Sequence, residues 1–122
     1  MTPAVDAPSL PDADRAVEYL EEISRELRGC AILSEAGEVL AASGEDPEAW
    51  GEAGRELIAA ADAAGDEPVA HAHVATGEGE AFCVREGPYV AVAVTERFTL
   101  ASLMIFDIRI ALRQLAAAGA GG

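Results

Sequence analysis

The chain has 122 residues, of which 51% are apolar, so it is long enough to form one globular domain without metal or disulfide support. Its formal net charge is −14, from 22 acidic and 8 basic residues, and the acidic residues are spread along the chain as a solvated surface. Because no basic stripe is present to neutralise phosphates, direct nucleic-acid binding is not expected.

Neither a targeting segment nor a membrane-spanning segment is expected from the sequence. The first residues, MTPAVDAPSLPDAD, lack the basic start and the apolar core of a signal peptide. The most apolar run, Phe98 to Ile110, is too short to span a bilayer and contains Asp107 and Arg109. The sequence therefore predicts a cytoplasmic protein with no membrane insertion. All 8 basic residues are arginine, a bias typical of a GC-rich bacterial genome.

The chain is predicted to begin with a flexible lead-in, residues 1–11, which is rich in proline and alanine. A single domain over residues 12–116 and a flexible tail over residues 117–122 follow. The first predicted element is a helix from about Ala13 to Arg28, capped by Asp12. Its buried stripe has helical spacing and consists of Val17, Leu20, Ile23 and Leu27.

The stretch Gly29 to Gly44, GCAILSEAGEVLAASG, predicts a β-hairpin. Two apolar runs, Cys30 to Leu33 and Val39 to Ala42, flank a polar segment. Gly37 in that segment can take the positive φ that a short hairpin turn needs.

A second helix is predicted from about Pro47 to Ala64, because Asp46-Pro47 combines a capping side chain with a proline at the first helical position. One face of this helix combines large and small apolar residues: Trp50, Gly54, Leu57, Ala61 and Ala64. The small residues on that face permit close approach to a neighbouring element.

Residues 69–95 predict three strands in a meander, Val69 to Thr76, Glu80 to Glu86 and Tyr89 to Thr95. The last of these, YVAVAVT, is apolar on both faces and should lie in the middle of a sheet that is covered on both sides. A third helix, about Leu100 to Ala116, follows a capping Thr99. Its broad apolar surface indicates burial on more than one side.

The order of these elements resembles that of the roadblock family, which is named for a dynein light chain and has a longin- and profilin-like α/β sandwich. The resemblance is carried by the hairpin GCAILSEAGEVLAASG, the strand YVAVAVT and the last helix LASLMIFDIRIALRQL. It implies an α+β fold of order α-β-β-α-β-β-β-α. The five-stranded antiparallel sheet would have its last strand central, the second helix on one face, and the first and third helices on the other.

The resemblance also implies partners. Family members typically dimerise through the second helix and the third strand, and prokaryotic members often bind small Ras-like GTPases. The sequence is consistent with such a dimer, since the third strand bears no lysine and is poorly protected as an edge. We predict a homodimer whose dimer or partner interface contains Trp50, Gly54, Leu57, Ile58, Ala61, His71 and His73.

His71 and His73 are two residues apart, so both should point to the same face of one strand. These histidines could bind a metal at the interface between two copies of the chain, or they could make the dimer sensitive to pH. The favoured interpretation is that they are polar residues on a partly exposed edge strand, since no third ligand is placed by the sequence.

Cys30 and Cys83 both lie in predicted strands. We expect them to be buried reduced thiols, although sequence alone leaves a disulfide open. A Cys–His nucleophile pair would need one of them beside a histidine in a cleft.

No catalytic constellation, cofactor motif or metal site is predicted. The favoured hypothesis is therefore a non-enzymatic homodimeric regulator or scaffold that binds a small GTPase or a related signalling partner. The alternative is a profilin-like module that senses a small molecule, which requires a cavity between sheet and helices. The apolar residues available there, mostly Ala, Val, Leu and Ile, predict a filled core instead.

Overall fold

The computed structural model describes residues 12–43, 47–64, 70–75, 77, 79–97 and 100–121. Within them the predicted element order is confirmed. The elements are α1 (Ala13–Ile23), β1 (Leu27–Ser34), β2 (Val39–Ala42), α2 (Pro47–Ala63), β3 (His71–Ala75), β4 (Glu80–Glu86), β5 (Tyr89–Thr95) and α3 (Ala101–Gly121). The predicted lead-in, the caps Asp46 and Thr99, and the strand ends Val69 and Thr76 lie outside the described residues.

The five strands form one antiparallel sheet in the order β2-β1-β5-β4-β3. The apolar strand β5 is central, as its sequence predicts, and it pairs with β1 on one side and β4 on the other. Its side chains alternate between the two faces: Ala91 and Ala93 join one buried cluster, whereas Val90 and Val92 join the other.

Helices α1 and α3 cover the first face of the sheet. Phe82 of β4 and Ile32 of β1 are fully buried there, beneath Leu20 of α1 and beneath Ile108 and Leu112 of α3. Helix α2 alone covers the opposite face, where Leu57 and Ile58 are partly buried against Leu33, Cys83, Val90 and Val92. The prediction of one helix on one face and two on the other is confirmed.

The β1–β2 turn forms as expected. The Gly37 N–H donates to the Ser34 carbonyl at 2.9 Å, and the Glu38 N–H donates to the Ser34 hydroxyl at 3.2 Å. Gly37 has a φ of 90°, in the left-handed region that favours glycine.

The predicted end of α1 is wrong. The helix starts as predicted, with Asp12 accepting from the Arg15 N–H, but it ends at Ile23 rather than at Arg28. Ser24 takes an extended conformation after it, and Leu27 already belongs to β1, where it pairs with Thr95. Pairing with the central strand therefore overrides the helical spacing of Leu27.

The helix α3 is longer than predicted, since it runs to Gly121 rather than to Ala116. A run of alanines continues the helix past Leu115, because alanine has the highest intrinsic helix propensity. Of the helices in the described ranges, none is both long enough and apolar enough to cross a membrane.

Candidate interface at helix α2 and strand β3

Strand β3 is an edge of the sheet, paired on one side with β4. The Arg85 N–H donates to the Ala70 carbonyl at 2.7 Å, so the backbone groups of Ala72 and Val74 also face β4. The alternation of an antiparallel ladder then directs the backbone N–H and C=O groups of His71, His73 and Ala75 away from the sheet. This row of outward groups is the pattern that a further strand can pair with.

The inner face of α2 is held on its own sheet by residues from the predicted interface. Gly54 is buried, and a Cβ placed on it would lie 2.7 Å from Cγ2 of Val92 and 3.5 Å from Cδ2 of Leu33. Leu57 and Ile58 pack on the same cluster of the sheet. Gly54 thus lets the helix backbone approach the sheet closely, which is a role within one copy of the chain.

The exposed side of α2 carries alanines and glutamates. Ala49, Ala53 and Ala60 are exposed, and their spacing of four and seven residues places them on one side of the helix. Ala61 is half-buried between the two faces, and nothing is described of the Trp50 side chain. The surface that α2 offers to a partner is therefore this alanine stripe, flanked by Glu52 and Glu56. Leu57 and Gly54 of the predicted face lie against the chain's own sheet instead.

His71 and His73 point to the same face of β3, as predicted, but that face carries α1 and α3. Their neighbour Ala72 packs in the α2 cluster, and His73 lies opposite Phe82 of the α1/α3 core. The rings of His73 and Phe82 stack with centroids 4.4 Å apart. The structure thus does not bring the two histidines together with α2 on one surface.

Each histidine has a neighbour of its own. His73 donates from Nε2 to Oε1 of Glu80 at 2.6 Å, and the Glu80 side chain is only 8% exposed. Arg109 of α3 donates to Nδ1 of His71 at 3.4 Å. Glu86 in turn makes ion pairs with both Arg109 and Arg113. In the described part of the chain, no group of three or more His, Cys, Asp or Glu residues is placed to hold a metal.

Cys30 and Cys83 are buried free thiols on opposite faces of the sheet. Burial raises the pKa of Cys30 to about 11, although a hydrogen bond from Ser43 lowers it in part. Burial also raises the pKa of Cys83 to about 11, against a lowering by the charge of Arg85. Cys83 faces α2 while the histidines of β3 face away, so the Cys–His pair considered from the sequence is not formed.

The sheet residues beneath α2 are at most 7% exposed, as a filled core requires, and a partly open cavity lies beside them. A cavity of about 210 Å³ lies between α2, the β1–β2 turn and the start of β5. A second cavity of about 290 Å³ shares Glu35, Arg85 and Val90 with it and adds Asp62. The described residues that line the first cavity are Leu33, Ser34, Glu35, Ala36, Gly37, Gly54, Arg55, Ile58, Arg85 and Val90.

Two arginines border this space with different partners. The guanidinium of Arg55 donates from Nη1 to the Gly37 carbonyl at 2.6 Å. The guanidinium of Arg85 donates to both carboxylate oxygens of Asp62, at 3.3 and 2.9 Å, and this hydrogen bonding raises the pKa of Arg85. Arg85 therefore fastens the C-terminal half of α2 to β4 across the cavity.

Comparison with solved structures identifies the fold. The Roadblock/LC7 domain from Streptomyces avermitilis matches with a TM-score of 0.75 and 17% identity, over 86% of this chain and 95% of that one. The gliding protein MglB from Thermus thermophilus matches with a TM-score of 0.71 and 18% identity, over 100% and 96%. A further structure, of MglB with a tetrameric arrangement, matches with a TM-score of 0.60 and 18% identity, over 98% and 94%.

No protein-family model matches the sequence. A search of curated proteins also finds no match. The structural matches, at identities below one fifth, establish that the chain has the fold of Roadblock/LC7 domains. The resemblance read from the hairpin, the strand YVAVAVT and the last helix is thereby confirmed at the level of the fold.

Proposed function

We propose that the protein is a cytoplasmic, non-enzymatic homodimer that regulates, or serves as a scaffold for, a small Ras-like GTPase or a related signalling partner. The observation that carries this proposal is the roadblock fold with α2 beside an open β3 edge. Prokaryotic members of the roadblock family are often partners of such GTPases.

The dimer is proposed to form by pairing of β3 with β3 of a second copy, so that two sheets become one. The outward N–H and C=O groups of His71, His73 and Ala75 supply the hydrogen bonds. The alanine stripe of α2 allows the two α2 helices to approach closely across the same seam. The MglB structure with a tetrameric arrangement supports self-association on this fold.

The proposed interface refines the residues predicted from the sequence. His71 and His73 contribute through their backbone, while Leu57, Ile58 and Gly54 act by holding α2 on its own sheet. The part of Trp50 in this interface stays a prediction.

The non-enzymatic character is supported by the state of the reactive groups. Both thiols are buried with raised pKa values, which disfavours the thiolate that a nucleophile needs.

The dimer is tested by light scattering at micromolar concentration, with Ala75→Pro and Ala75→Ser as a matched pair. Proline removes an outward N–H and blocks strand pairing, whereas serine keeps the N–H. We expect a dimer for the parent and for Ala75→Ser and a monomer for Ala75→Pro. A monomeric mass for the parent protein refutes the dimer.

The GTPase is tested by a pull-down with a small GTPase encoded beside this chain, loaded with GTP or GDP. We expect retention that differs between the two nucleotide states, because a regulator distinguishes them. Absence of binding in both states contradicts the regulator.

A profilin-like small-molecule sensor is the second candidate function. Its supporting observation is the cavity beneath α2, which has an apolar lining and nearby arginines.

A further inference from the structure

The space beneath α2 exists because the helix carries few large residues above that end of the sheet. Gly54 brings the helix to the sheet at one point, where it nearly touches Val92. Beyond Ile58, the residues of α2 up to Ala63 are alanines and Asp62, none of which fills the space beside Val90. The cavity is therefore built into the sequence of the helix.

The lining has an apolar part and a charged part, in which Arg55, Arg85 and Glu35 lie. Leu33, Ile58 and Val90 supply the apolar part. The ion pairs among the described residues do not include Arg55, and its guanidinium is fixed by the Gly37 carbonyl at 2.6 Å. A guanidinium has five N–H donors, so most of them stay available to a ligand at the mouth of the cavity.

We infer that this cavity binds a small organic monocarboxylate with a short apolar body. The carboxylate pairs with Arg55, whose planar donor fork matches its geometry, and the apolar body lies against Leu33, Ile58 and Val90. A volume of about 210 Å³ holds roughly seven groups of the size of a water molecule, at about 30 Å³ each.

The charges around the cavity favour a single negative charge on the ligand. Glu35 and Asp62 border the two adjoining cavities, and the chain as a whole carries −14. These carboxylates repel a dianion such as phosphate more strongly than a monoanion. The inference gives the sensor candidate a ligand class and does not rest on the binding of a GTPase.

The experiment is a titration of the isotope-labelled protein with hexanoate, followed by the shifts of its backbone amide signals. Hexanamide, of similar shape but neutral, and inorganic phosphate are the matched probes. We expect saturable shifts from hexanoate in residues 33–37 and 54–58, at least tenfold weaker binding of hexanamide, and no saturable shifts from phosphate.

Three variants locate the site. Arg55→Gln should weaken hexanoate binding at least tenfold, and Ile58→Phe should abolish it by filling the cavity. Arg25→Gln, at an exposed arginine that does not line the cavity, should leave the affinity unchanged. The amide spectrum of each variant shows directly whether the variant is folded. The comparison of hexanoate with hexanamide uses the parent protein alone, so it tests the inference even if a variant does not fold.

Three results overturn the inference: no saturable shift with hexanoate, equal affinity for hexanoate and hexanamide, or an equal loss in Arg55→Gln and Arg25→Gln. Binding of phosphate as tight as that of hexanoate does so too, since it shows a general anion site. The titration contains no GTPase, so its failure and a failed pull-down are separate outcomes.

Discussion

The helices on the two faces of the sheet differ in how completely their side chains are buried. Between α1, α3 and the sheet, the side chains of Leu20, Ile108 and Leu112 are at most 2% exposed. Beneath α2, Leu57 and Ile58 are only partly buried, and a cavity of about 210 Å³ lies beside them. One sheet therefore supports a close-packed layer on one side and a thinner, incompletely filled layer on the other.

The α1/α3 layer is therefore expected to contribute most to stability, and the α2 layer to the binding of partners. Interior packing at high density stabilises a fold, and any loss of volume there is costly. A layer with small residues and unfilled space contributes less to stability, but it leaves a helix surface, a strand edge and a pocket available for partners. The comparison predicts that substitutions on the two faces differ in size and in kind.

The largest contrast is expected between Phe82→Ala and Ile58→Ala. Phe82 is fully buried beneath α1 and α3, so its truncation should lower the free energy of unfolding by about 3–5 kcal/mol. Ile58 is half-buried beside an existing cavity, and its truncation should cost only about 1 kcal/mol. Urea denaturation measures both, and equal losses contradict the asymmetry of the two layers.

A smaller loss is expected from Gly54→Ala. The added Cβ lies 2.7 Å from Cγ2 of Val92, and overpacking of this kind typically costs about 1–3 kcal/mol. The higher helix propensity of alanine offsets about 1 kcal/mol of this cost, so we expect the free energy of unfolding to fall by about 1 kcal/mol. Gly77→Ala is the control, because among the described residues no atom lies within 4 Å of the position its Cβ would take. A stabilised Gly54→Ala would show that Val92 can move aside.

A still smaller loss is expected at the Arg85–Asp62 pair, which fastens α2 to β4. The two side chains are 28% and 36% exposed, so solvent screens their attraction. Asp62→Asn should therefore lower stability by less than about 1 kcal/mol. A double-mutant cycle with Arg85→Gln isolates the pair, and a coupling of several kcal/mol contradicts the view that α2 is held loosely.

The smallest effect concerns the reactivity of the two thiols, which reports on the packing of the two faces of the sheet. With a pKa of about 11, each thiol is ionised at pH 8 in roughly one molecule in a thousand. Single-cysteine variants should therefore react slowly with a thiol reagent, and Cys83, beneath α2, should react faster than Cys30. Faster labelling of Cys30 than of Cys83 would contradict the prediction that the α2 layer opens more readily than the layer of α1 and α3.

The raised thiol pKa values also set the sign of a pH effect. Because the folded value of about 11 lies above the ordinary value of 9.0, the folded state holds its thiol protons more tightly than the unfolded state. The resulting contribution to stability is present below pH 9 and is lost as the pH rises towards 11. Urea midpoints at pH 7 and pH 10 measure it, and a variant with Cys30→Ala and Cys83→Ala should lose this part of the change.

The elements that the sequence predicts well are those with a strong local signal. The strand YVAVAVT is apolar on both faces and is central, and Gly37 marks a turn that needs a positive φ. The end of α1 was not predictable in this way, since Leu27 fits a helical stripe and joins β1 only because Thr95 lies opposite.

The candidate site was less accessible from sequence. The spacing of His71 and His73 shows that both side chains lie on the same face of β3. Which face that is depends on the packing of Ala72 with Cys83 beneath α2, and the sequence does not show this packing. The cavity could not be predicted because it is a difference between the volumes of side chains from four elements. The alanines after Ile58 were the available signal, but they also fit a helix that packs closely on another helix.

The strand order has a consequence for how the chain folds. The hairpin β1–β2 comes early in the sequence, yet its inner neighbour is β5, about sixty residues later, as in the pair Cys30 and Ala93. Pairings of such separation require a large loop to close before any contact compensates for it, which slows folding. We therefore expect the sheet to be completed late in folding, when Tyr89–Thr95 pairs with β1 on one side and with β4 on the other.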